Sequence, residues 1–188
     1  MSKIKSLNDP FEGIFELILE DPNNPMTRYA NYVYQRDVID SSSVYSLSED
    51  NSNILLWAHY ADNHKGICIE FSTMNLNSIF STIKRMNYSS TVPVIHRNQR
   101  AVSELANDIF LNKTIDWSYE KEWRIISSGN SYYKPIIESD ITGVIIGERI
   151  SQIDREWVID WLKGYKNVKI YQCRMSKSSY KMDIELIK

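Results

Sequence analysis

Residues 117–126 read Trp117-Ser118-Tyr119-Glu120-Lys121-Glu122-Trp123-Arg124-Ile125-Ile126, and the fold assignment turns on this stretch. As a strand over 120–126, alternation puts Glu120, Glu122 and Arg124 on one face, with Lys121, Trp123 and Ile125 on the other. Two carboxylates and a guanidinium side by side form a compact ionic cluster. Such a cluster can stabilise a developing positive charge, or it can tie a strand to its neighbours through ion pairs. The residues alone leave both readings open.

Around this strand the chain alternates between the two periods. Ile67–Phe71 reads as a strand. Ile141–Ile146 is nearly continuous apolar, as a central strand buried on both faces should be. Ser43–Ser48 alternates like a short strand, Thr82–Tyr88 like a weaker one, and strands over Val168–Cys173 and Lys181–Ile187 close the chain. Helical spacing is carried by Met26, Tyr29, Ala30, Val33 and Tyr34, and by Leu56, Trp57 and Tyr60 behind the cap residue Asn53. Arg100–Leu111 is amphipathic through Val102, Leu105, Ala106, Ile109 and Phe110. Ser151–Lys163 has the same character through Ile153, Trp157, Val158, Trp161 and Leu162. Asn8-Asp9-Pro10-Phe11-Glu12-Gly13 is a turn-rich fixed loop, and Pro22 and Pro25 bracket a second turn. Strands outnumber helices and are interrupted irregularly. The expectation is an α+β fold, one domain over residues 1–188, with a mixed, mostly antiparallel sheet and three or so helices.

The composition narrows the function classes. Apolar residues make up 43% and charged residues 24% of the 188, ordinary globular usage that excludes a disordered chain. A net charge of −2 provides no basic excess for general nucleic-acid binding, though it leaves room for a local basic patch. Cys68 and Cys173 fit no metal or redox spacing and read as reduced, buried thiols of a cytoplasmic protein. The polar start and the lack of a long apolar run argue against a membrane protein. Twelve tyrosines and five tryptophans against five phenylalanines supply rings with polar tips, which suit clefts and interfaces as well as core edges.

A second dense block is Trp57-Ala58-His59-Tyr60-Ala61-Asp62-Asn63-His64-Lys65-Gly66. Its histidines are five apart, whereas a helical zinc pair needs a spacing of four, so no metal site is expected. Serine-nucleophile elbows and glycine-rich phosphate loops are missing. In the simpler account Trp57 and Tyr60 anchor a helix in the core while His59 and Asn63 face water. The density of polar groups also suits a pocket wall.

Three blocks taken in order carry a family likeness: Asn8–Gly13, then Leu56–Tyr60 through His64-Lys65-Gly66, then Lys113 with Trp117–Arg124. The chain resembles a large bacterial family of unknown function, usually cytosolic and often carried on mobile or defence-associated genes. Val144-Ile145-Ile146-Gly147 fits the same pattern, so the likeness spans nearly the whole chain. Members usually carry a further segment with a first strand before the Asn-Asp-Pro-Phe-Glu block, whereas seven residues precede Asn8 here. The resemblance therefore implies a form lacking that strand, which a protein partner could complete by edge addition.

More distantly, the chain is similar to ADP-ribosyltransferase folds, which hold NAD against an aromatic side chain and carry a Glu-x-Glu on a later strand. Glu120-x-Glu122 is similar to that motif, and Tyr60 is the candidate stacking aromatic. Breaking the nicotinamide–ribose bond creates an oxocarbenium-like centre that a carboxylate can stabilise. The likeness implies that Glu122 holds the ribose and Glu120 acts as general base, with NAD as substrate. Trp57, His59, His64, Tyr119 and Arg124 complete the candidate ligand-binding set. The rival expectation is a non-catalytic module that docks a ligand or a protein through the same two blocks. A nuclease ranks last, because Asp62, Asp116, Glu120 and Glu122 form no recognisable metal-binding pattern.

Overall fold

The computed structural model describes residues 1–3, 7–18, 21, 23–74, 78–96, 102–128 and 135–187. In chain order the first elements are β1 (Ser2–Lys3), β2 (Glu16–Ile18), α1 (Pro25–Ser41), β3 (Ser42–Ser48), α2 (Ile54–Tyr60) and β4 (Ile67–Phe71). Next come β5 (Lys84–Arg85), β6 (Asn87–Ser89), β7 (Val94–His96), α3 (Val102–Phe110), β8 (Asn112–Thr114) and β9 (Glu122–Ser128). The last are β10 (Ile141–Ile146), α4 (Gln152–Trp161), β11 (Lys169–Met175) and β12 (Met182–Leu186). The α+β class expected from the sequence holds, with the strands shared among several sheets. No helix among the described residues is long and apolar enough to cross a membrane.

The chain folds into two compact units, each built from two segments: Met1–Ser48 with Thr82–Pro135, and Glu49–Ser81 with Ile136–Lys188. In the first unit, β1, β3, β9 and β5 form an antiparallel sheet in that order. Two short parallel pairs, β2 with β7 and β6 with β8, join it. Val44 of β3 packs with Val38 of α1, Ile95 of β7 and the α3 residues Leu105, Ala106, Ile109 and Phe110, and Ile126 of β9 lies against this cluster. Ser46 pairs with Arg124 and Ser48 with Glu122 in the same register that sets Val44 opposite Ile126. The core-facing side of β9 is therefore apolar at Ile126 and ionic at Arg124 and Glu122.

Two expectations in this unit need correcting. The strand does not begin at Glu120, because Ile115–Glu120 is a 3-10 turn that ends at Lys121 in the left-handed region (φ 45°). In α1, Met26 and Tyr29 are exposed, while Asn31 and Val38 are buried with Tyr34 half-buried between them. The buried stripe is thus offset from the expected face. Asn24 caps this helix by accepting from the Met26 N–H at 2.9 Å, and Pro25 opens it with a preset φ. Pro22 and Arg100 lie outside the described residues.

In the second unit the sheet order is β12-β11-β10-β4, with β10 and β11 parallel across the α4 crossover and the other pairs antiparallel. β10 is buried on both faces, as its apolar run predicts. Val144 and Ile146 pack with Val158, Val168 and Ile170 on the α4 side. Ile145 packs with Trp57, Ala61, Cys173 and Met182 on the α2 side. The expected apolar face of α4 is split. Val158 is buried and Leu162 partly so, but Ile153, Trp157 and Trp161 are exposed.

Candidate functional site

The Asn8–Gly13 loop is pinned by Asp9, whose Oδ1 accepts from the Phe11 N–H at 2.9 Å while its backbone oxygen accepts from the Glu12 N–H at 3.1 Å. This loop delivers Glu12 to the guanidinium of Arg124. Arg124 Nη1 donates to Glu12 Oε2 at 2.8 Å, and Nη2 donates to Glu12 Oε1. Arg124 Nε donates to Glu122 Oε1 at 2.6 Å and Nη2 to Glu122 Oε2 at 3.2 Å. Nη1 also donates to the Phe110 backbone oxygen, at the end of α3, at 2.9 Å. All five N–H donors of the guanidinium are thus matched by acceptors.

Lys113 of β8 closes the other side. Its Nζ lies 2.6 Å from Glu120 Oε2, 3.2 Å from Glu122 Oε2 and 3.9 Å from Glu12 Oε1. The ammonium also sits 4.8 Å from the centre of the Trp117 ring. Three carboxylates thus surround two cations, and the side chains of all five residues are at least 95% buried. Tyr88 Oη accepts from the Glu122 N–H at 2.8 Å, and Ser48 Oγ donates to the Glu120 backbone oxygen at 2.6 Å.

Burial by itself would raise the Glu122 carboxyl, but the Arg124 charge and hydrogen bonds, Lys113 and the Ser46 hydroxyl reverse this and hold it below its ordinary value. Burial would likewise lower Lys113, yet Glu122, Glu120 and Glu12 hold its ammonium above the usual lysine range. The Tyr88 phenol is pushed up, first by burial and then by the neighbouring Glu122 and Glu120 charges. The cluster is therefore fully ionised at Glu122, Lys113 and Arg124 around neutral pH.

The structure brings Glu120, Glu122 and Arg124 together as expected, although Glu120 arrives from the 3-10 turn and not from the strand. Tyr119 is half-buried beside them, its ring 6.0 Å from that of Trp117. Glu12, Lys113 and Tyr88 complete the cluster and were not singled out by strand alternation. Glu12 and Lys113 do lie in the sequence blocks that carry the family likeness, and that is the signal the sequence holds for them.

The remaining candidates belong to the second unit. Trp57 is a core residue there, and its indole N–H donates to the Asn51 backbone oxygen at 2.8 Å. His59 and Tyr60 are exposed at the end of α2, with ring centres 6.3 Å apart. Tyr60 is thus outside the core in which the simpler account placed it. His64 ends a run of three left-handed residues, Asp62, Asn63 and His64 (φ 44°, 53° and 71°). Its N–H donates to the Trp57 backbone oxygen at 3.1 Å, and its own backbone oxygen accepts from the Arg149 N–H at 2.9 Å. Burial and the nearby Arg149 charge lower the imidazole pKa, against an opposing pull from Glu148. Cys68 and Cys173 are free thiols in this unit, and burial pushes Cys173 up to about 12.

Over residues 56–125 the chain is similar to the family described as "Protein of unknown function (DUF2971)". That range contains Trp57, Tyr60, His64, Lys113, Glu120, Glu122 and Arg124, and leaves out Glu12. No curated protein and no solved structure matches the chain.

Proposed function

We propose that the chain is a ligand- or protein-docking module in which the Glu12–Lys113–Glu120–Glu122–Arg124 cluster is a structural tie. One observation carries this reading: Glu120 and Glu122 are 3% and 4% exposed, and their carboxylates are committed to Lys113 and Arg124. A ribose-holding carboxylate or a general base must reach its substrate within hydrogen-bond distance. A saturated, covered pair would first have to give up those ionic partners, at a cost of several kcal/mol (about 3–5 for a broken buried pair). The resemblance to mobile and defence-associated bacterial proteins supports a cytosolic bacterial setting for such a module, and the two free thiols are in keeping with it.

The second reading is an NAD-consuming transferase centred on Glu122. It is favoured by the ionised state in which Arg124 and Lys113 hold this carboxylate, since stabilising an oxocarbenium-like centre needs a negative charge.

The deciding experiment incubates the purified full chain with NAD and measures free nicotinamide, wild type beside Glu122→Gln. The docking-module reading expects no release from the folded wild type and a large loss of stability in the variant. Nicotinamide release by the wild type that vanishes in a folded Glu122→Gln protein would overturn it in favour of the transferase.

A further inference from the structure

A groove of about 620 Å³ opens in the second unit, lined by the His64 turn, the turn after β10 and the hairpin turn joining β11 to β12. Its volume falls in the range of small-ligand sites, about 300–1,000 Å³. Three cations line it: Arg149, Lys177 and Lys181. None of the three has an ion-pair partner among the described residues. The single lining carboxylate, Glu148, is instead 3.7 Å from Arg174 Nη1. In a chain of net charge −2, this is a local excess of positive charge, three cations against the one carboxylate of Glu148.

The hairpin turn adds three serine hydroxyls and the fully exposed ring of Tyr180. Backbone hydrogen bonds tie two of the turns that line the groove. Gly147 N–H donates to the Gly66 backbone oxygen at 3.0 Å, and Arg149 N–H to that of His64, so two of the sequence blocks are laced together. His64, kept neutral at physiological pH, offers one donor and one acceptor to a hydroxyl-bearing ligand.

We infer that this groove binds a nucleoside phosphate, with the phosphates held by Arg149, Lys177 and Lys181 and the base stacked on Tyr180. The cations and serine hydroxyls match phosphate oxygens, and an exposed tyrosine ring provides a stacking platform. The inference rests on the docking-module reading and names its ligand.

The test titrates the full chain with ATP by calorimetry at physiological salt, alongside pyrophosphate and adenosine as half-ligands. Wild type should bind ATP and, more weakly, pyrophosphate. Lys177→Ala/Lys181→Ala should weaken ATP by about tenfold or more for each cation removed. Tyr180→Ala should weaken ATP severalfold while leaving pyrophosphate unchanged. The inference fails if ATP does not bind, if the lysine variant binds equally well, or if only a long single-stranded oligonucleotide binds. Nicotinamide release is read in parallel samples containing NAD. Its appearance would overturn the module reading whatever the ATP result, whereas unchanged ATP binding in the lysine variant would overturn the groove alone.

Discussion

Arg124 donates through both terminal nitrogens to Glu12, 112 residues earlier in the chain. The pair fixes the Asn8–Gly13 loop to the centre of a sheet, and it is fully covered. Removing either partner leaves the other as a buried charge with unmatched hydrogen-bonding groups. Arg124→Met should cost about 3–5 kcal/mol in urea denaturation. Arg124→Lys should recover only part of this loss, because an ammonium cannot reproduce the five-donor fork. If Arg124→Lys is as stable as wild type, the fork is not what the cluster needs.

The same cluster makes stability depend on pH in a direction set by Glu122. Its folded pKa lies below the ordinary glutamate value of 4.5, so the ionised carboxylate contributes stability above that value. That contribution is lost as pH falls from about 4.5 through the depressed folded value. Lys113 acts in the opposite sense. Its folded pKa is above 10.5, so its contribution is present below that pH and fades as pH rises through the folded value. Denaturation midpoints measured from pH 3 to 7 should fall on the acid side for wild type. Glu122→Gln should be less stable at neutral pH and show a shallower acid slope. Equal slopes for the two proteins would remove Glu122 from the linkage.

The strands of the second unit were legible because each announces itself locally. β10 is a continuous apolar run between turn residues, and β4 was placed residue for residue. The buried face of α1 was not legible. Its outward positions Met26 and Tyr29 look apolar, while its inward position Asn31 looks polar, so periodicity favours the wrong stripe. In α4 the two tryptophans pull the predicted face toward solvent in the same way. Alternation did place Glu122 and Arg124 on one face. It could not reveal that Lys113 and Glu12 converge on them, because ion pairs between distant segments leave no periodic trace. The left-handed Lys121 that ends the preceding turn was equally silent, since lysine carries no backbone preference for that region.

Gly147 lies in close backbone contact with the His64 turn, and a β-carbon there would stand 2.6 Å from the Gly66 backbone oxygen and closer still to that of His64. Neither neighbour is a flexible side chain that can swing away. Gly147→Ala should therefore push the turns apart, break the hydrogen bond between the Gly147 N–H and the Gly66 oxygen, and cost about 1–3 kcal/mol or more. Gly164→Ala is the matched control, since a β-carbon at Gly164 meets nothing within 4 Å. Thermal denaturation of the two variants should separate them clearly, and equal midpoints would mean that the turns yield more easily than their hydrogen bonds suggest.

Trp57 and Trp157 have the same side chain in opposite surroundings, 3% against 60% exposed. Trp57 packs with Ala61, Ile145, Cys173 and Met182, and its indole N–H is paired with the Asn51 oxygen. Replacing it by alanine opens a cavity and strands a carbonyl, so Trp57→Ala should lose about 3–5 kcal/mol. Trp157 forms no part of that core, and its ring lies 6.3 Å from the exposed ring of Trp161. Trp157→Ala should stay within about 0.5 kcal/mol of wild type, as surface substitutions do. Chemical denaturation of both variants checks the pair. A Trp157→Ala loss comparable to that of Trp57→Ala would show that the exposed stripe of α4 is covered in solution.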